Sequence, residues 1–93
     1  MTGASWVVDY PEWFEKSEWE IEAKGYMGEV RVTNGTDSNI VAFYDPHRLH
    51  QDVADEIRER SVFFERNIVV VAKVTRHVMD EAMKSIGPDL DCR

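Results

Sequence analysis

The 93-residue chain has one cysteine, Cys92, so no intrachain disulfide can form and a stapled secreted scaffold is excluded. Basic residues are scarce as well: 11 Lys and Arg stand against 18 Asp and Glu, a formal charge of -7 at pH 7. Phosphate backbones and anionic membranes are held through Lys and Arg, so a nucleic-acid partner and a membrane partner are both disfavoured. The longest run of Ile, Val and Ala is Ile68 to Ala72, far short of the roughly 20 residues a membrane helix needs. Nothing near Met1 has the basic start and apolar stretch of a secretory leader, and a cytoplasmic protein is the expectation. No glycine-rich phosphate loop, internal repeat or low-complexity tract is present.

What is there describes a globular chain. Hydrophobic residues make up 43% and charged residues 31%, enough apolar material for one core and too much for a disordered tail. One domain over residues 1–88 with a flexible tail at 89–93 is expected. Charge is uneven: Asp9, Glu12, Glu15, Glu18, Glu20 and Glu22 face only Lys16 and Lys24 in the first quarter.

The organising stretch is Asn67 to Thr75, whose β-branched Ile68, Val69, Val70, Val71 and Val74 predict a buried central strand. Ahead of it, Trp6-Val7-Val8 can add an edge strand or pack down, and Pro11 with Glu12 opens a short helical turn through Lys16. Glu18 to Lys24 alternates strictly, which predicts a half-buried strand with Trp19, Ile21 and Ala23 inward. Gly25-Tyr26 then serves as a hairpin turn, setting Ile21 against Val30 and Trp19 against Val32.

Asn34-Gly35 marks a second turn before a strand from Asn39 to Tyr44. An odd loop turns Ile40, Ala42 and Tyr44 to the core, an even one Val41 and Phe43. The odd register is preferred because it sets Ile40 against Val32 and Ala42 against Val30. Asp45-Pro46 is a helix start, with the helix running to about Arg60 on an apolar stripe of Leu49, Val53, Ala54 and Ile57. Val62, Phe63 and Phe64 are expected to plug the end of the core. Thr75 caps the last helix, which Gly87-Pro88 stops.

The fold class that follows is α+β, a two-layer sandwich in the order β-β-β-α-β-α behind a short N-terminal helical turn. Its mixed sheet carries two helices on one face, and the Asn39 strand runs parallel to the Asn67 strand through the intervening helix. A helix, a three-stranded meander and a helix is an order similar to that of double-stranded-RNA-binding domains. Those read phosphates with basic side chains, which the acidic or neutral helices here do not offer.

Chemistry-bearing residues are few. His47 and His50 lie three apart on a helix and, with Asp45 and Asp52 near them, could bring two imidazoles to one metal, but Asp45 is taken up as the helix cap and two histidines alone are a weak pattern. The plainer reading puts His50 inside the Leu49, Val53, Ile57 stripe as a packed side chain. No nucleophile stands beside a base, so no catalytic residue and no cofactor is assigned. Asp52, Asp55, Glu56 and Glu59 form a one-sided acidic helix stripe, a solvated surface unless a basic partner meets it. Trp6, Trp13 and Trp19, with Tyr10 and Phe14 between them, lie in the acidic first quarter, where they either complete the core or form an aromatic patch rimmed by acids such as Glu18 and Glu20 and suited to a cationic partner.

The expected role is a non-enzymatic interaction protein of inhibitor, immunity or adaptor type, using Trp13, Glu18, Glu20, Asp52, Asp55, Glu56 and Glu59 toward a basic partner protein. The alternatives are a metal-binding protein or metal-assisted enzyme centred on His47 and His50, and a structural subunit or homodimer.

Overall fold

The computed structural model describes residues 6–86. The expectations for Gly87-Pro88, for the 89–93 tail and for Cys92 lie outside the described residues. The fold is α+β, and the described residues form a mixed four-stranded sheet and three helices. In chain order the elements are β1 (Val7–Asp9), α1 (Phe14–Lys24), β2 (Tyr26–Thr33), β3 (Ser38–Tyr44), α2 (Pro46–Arg60), β4 (Ile68–Val70) and α3 (Arg76–Ile86). The sheet order is β1-β2-β3-β4, antiparallel except for the parallel β3 and β4.

The expected strand at Glu18 to Lys24 is helical, the main correction to the sequence reading. Glu, Ala and Lys are strong helix formers, and Phe14 and Ile21, seven apart, are the two buried residues of α1. Trp19, expected to face inward, is 72% exposed. Gly25 therefore ends a helix instead of making a hairpin: at φ 71° its N–H donates to the Ile21 and Glu22 carbonyls. The antiparallel partner of β2 on that side is the short β1, pairing Val8 with Val32.

The hairpin between β2 and β3 forms at the expected turn. Asn34 Oδ1 accepts from the N–H groups of Thr36 and Asp37, and Gly35 sits at φ 93°. Its loop, Asn34 to Asp37, is even, so the preferred register is overturned: Val30 opposes Val41, and Val41 and Phe43 face the core. Ile40 is 48% exposed on the opposite face, where Ala42 and Tyr44 are buried. Met27 opposes Phe43, so β2 advances three residues where β3 advances two, a bulge with Glu29 at φ 52°. The extra residue lets both Met27 and Val30 point to the core. Tyr26 folds its ring over Gly28, where an added Cβ would collide with the phenol.

Two helices do share one sheet face, but they are α1 and α3. Phe14, Ile21, Met79 and Met83 pack with Val8, Val30, Val32, Val41, Phe43 and Val69 into the core. Truncating any of its largest members costs on the order of 3–5 kcal/mol. The anticipated central strand is instead a three-residue edge, parallel to β3 as expected, with Val71 and Val74 buried beyond the ladder.

A polar latch holds α3 to the N-terminal segment. The Tyr10 hydroxyl donates to Asp80 Oδ1 at 2.7 Å, and Arg76 stacks 4.5 Å over the Tyr10 ring. Thr75 Oγ1 accepts from the Val78 N–H, the cap its position implied. Among the described residues no helix is long and apolar enough to cross a membrane.

Candidate interaction surface

α2 is started by Asp45, whose Oδ1 accepts from the Arg48 N–H at 2.7 Å, and ended by Ser61 in the left-handed region. It lies over the sheet face opposite the core, as two contacts show. Arg48 sits 5.1 Å over the Tyr26 ring, and Tyr26 stacks 4.9 Å from Tyr44, its partner across β2 and β3. None of the 15 residues of α2 is buried.

Between α2 and the segment that follows it runs an open groove of about 520 Å³, lined by Tyr44, Asp52, Asp55, Glu56, Glu59, Arg60, Phe63, Phe64 and Glu65. All four acids of the predicted helix stripe meet here, joined by Glu65. The groove thus carries five carboxylates against one guanidinium. Three acids have an arginine on their own helix: Asp52 with Arg48 at 2.9 Å, Asp55 with Arg58 at 2.6 Å and Glu56 with Arg60 at 3.5 Å. These pairs are partly exposed, each worth about 0.3–0.5 kcal/mol, so a better-placed cation from a partner can compete with them. Among the described residues Glu59 has no ion-pair partner.

Glu65 is oriented by Tyr44, whose hydroxyl donates to Glu65 Oε1 at 2.6 Å. Burial first, then that hydrogen bond and the Glu65 charge, hold the Tyr44 phenol well above its ordinary pKa of 10.0. Burial raises the Tyr26 phenol too, again with a contribution from Glu65. Both phenols therefore remain neutral donors at physiological pH.

Phe63 and Phe64 do not plug the core. Phe63 is half-buried in the groove wall, while Phe64 is 81% exposed and Val62 beside it 58%. Ser61 ends α2 in the left-handed region just before them, and Val71 and Val74 are buried in the core instead.

The remaining predicted residues lie elsewhere. Trp13, half-exposed, and Glu20 line a second, smaller hollow of about 230 Å³ with Ile21, Lys24, Tyr26 and Met27. Glu20 pairs with Lys24 at 3.8 Å. Glu18 is engaged within the fold, its Oε2 accepting from the Arg76 N–H at 2.8 Å at the start of α3. Of the predicted N-terminal acids only Glu20 lines that hollow, and none lines the groove beside α2.

His47 and His50 are exposed in the first turns of α2, so His50 is not the packed residue the helical stripe implied. Among the described residues no group of three or more His, Cys, Asp or Glu side chains is placed to hold a metal.

Tyr44, Arg60, Phe63, Phe64 and Glu65 are the groove residues that sequence reasoning missed. The one signal pointing to them was an aromatic pair next to an acid, just past the end of an acidic helix. No protein-family model, curated protein or solved structure matches this chain.

Proposed function

We propose that this chain is a cytoplasmic, non-enzymatic interaction protein, of inhibitor, immunity or adaptor type, that holds a basic segment of another protein in the groove beside α2. The observation carrying this reading is the meeting of five carboxylates with Phe63 and Phe64 on one concave wall. Carboxylates attract and orient a cationic partner from a distance, while the aromatic faces supply desolvated contact once it arrives. Glu59, with no partner among the described residues, is a ready acceptor for an incoming Lys or Arg.

The test is affinity capture from cell extract using the chain and a variant carrying Asp52→Asn, Asp55→Asn, Glu56→Gln and Glu59→Gln. A basic protein should be retained at low ionic strength and released as salt approaches about 0.5 M, where the Debye length falls to a few ångströms. The neutralised variant should retain at least tenfold less. Capture indifferent both to salt and to the four substitutions would refute the proposal.

A further inference from the structure

We infer that the half-buried apolar stripe of α2, together with the exposed Val62 and Phe64 that follow the helix, seats a basic amphipathic helix of a partner protein; this deepens the reading above and rests on it. A 15-residue helix draws most of its stability from packing an apolar face, yet α2 buries no residue. Its half-buried positions Arg48, Asp52, Asp55 and Glu56 turn the acidic side toward the groove and the sheet. The apolar stripe through Leu49, Val53 and Ile57 sits roughly a quarter turn further around the helix. Leu49 and Val53 are half-buried, Ile57 is 48% exposed, and Val62 and Phe64 just past the helix are 58% and 81% exposed.

Charge decides the occupant. The stripe has the acids Asp52, Glu56 and Glu59 along one border. A partner helix lying on it therefore gains if its own apolar stripe is bordered by Lys or Arg, the helix-in-groove mode of recognition. A second copy fits poorly. An antiparallel two-fold pairing of the stripes sets like flanks against each other, acid on acid, between chains each carrying -7.

The probes are three synthetic 18-residue peptides added to the full chain. One has leucines and lysines arranged as a single helical stripe, one has the same lysines with leucines replaced by serine, and one has leucines with glutamates. Amide shifts and titration calorimetry report binding. The leucine–lysine peptide should bind and shift the amides of Ile57, Val62 and Phe64. Ile57→Asp or Phe64→Asp, both at exposed positions, should weaken it at least tenfold, and the serine and glutamate peptides should bind at least tenfold more weakly. If the serine–lysine peptide binds equally well and Ile57→Asp changes nothing, the acidic groove acts alone: this inference falls and the proposed function stands. If neither basic peptide binds, both fall. A dimer in sedimentation at micromolar concentration that Ile57→Asp dissolves would give the face to a second copy and overturn the inference.

Discussion

Replacing Gly25 with alanine strikes two helices at once. Gly25 ends α1 at φ 71°, where an L side chain costs about 1–2 kcal/mol. The new Cβ would also lie 2.6 Å from Asp45 Cγ and 2.7 Å from Oδ1, inside van der Waals contact. Asp45 is the cap of α2, and its own N–H donates to the Gly25 carbonyl at 2.9 Å, so it has little room to retreat. Pushing its carboxylate aside forfeits the cap, worth about 1 kcal/mol. Gly25→Ala should therefore destabilise the fold by about 2–3 kcal/mol. For a domain of this size that lowers Tm by roughly 10–20 °C.

Urea unfolding followed by circular dichroism reads the change, with an unaltered m-value showing that the unfolded reference has not shifted. The double-mutant cycle with Asp45→Ala separates the two contributions. Alone, Asp45→Ala should cost about 1 kcal/mol. In the double variant the collision is gone and the cap is already lost, so the total should match Gly25→Ala alone instead of the sum of the singles. A Gly25→Ala penalty below about 0.5 kcal/mol would refute the left-handed cap, and strict additivity with Asp45→Ala would refute the α1–α2 contact.

Two further outcomes test the fold. Trp6 is 3% exposed and Trp19 72%. Trp6→Ala should therefore cost about 3–5 kcal/mol and Trp19→Ala less than about 0.5 kcal/mol in urea titrations; equal penalties would restore the inward-facing strand at Glu18 to Lys24. The Tyr10 phenol is raised well above its ordinary 10.0 by burial first and by its hydrogen bond to Asp80 second, and Tyr26 and Tyr44 are raised as well. The unfolded chain thus releases phenol protons before the folded one, so stability is full below about pH 10 and falls above it. Absorbance at 295 nm should stay low past that pH and then rise together with loss of circular dichroism; three independent titrations near pH 10 in a still-folded protein would contradict the latch.

The legible parts of the fold were those governed by local chemistry. Asp45-Pro46 fixes a cap and a permitted φ within two residues, and Asn34-Gly35 makes its own turn, so α2 and the β2–β3 hairpin follow from the chain directly. The misread parts were those where one local signal serves two structures. A glycine at positive φ ends a helix as well as it turns a hairpin. Alternation through Glu18 to Lys24 pairs acceptably with almost any alternating neighbour, so the apparent match to β2 carried little information. The summed helix preference of Glu, Ala and Lys was the better witness.

The β3 register hung on the parity of a single loop, and an odd count instead of an even one sends Val41 and Phe43 to the wrong face. An apolar run likewise cannot distinguish a central strand from an edge strand whose next residues dive into the core, as Val71 and Val74 do. The candidate surface divides along the same line. Asp52, Asp55, Glu56 and Glu59 are neighbours because a helix repeats, which a sequence displays. Glu65 is held beside them by Tyr44 from 21 positions away, and Phe64 stands exposed after the left-handed break at Ser61. A candidate surface that joins a helical stripe to such a segment is therefore half visible before folding. The half that stays hidden is the one that makes the wall concave.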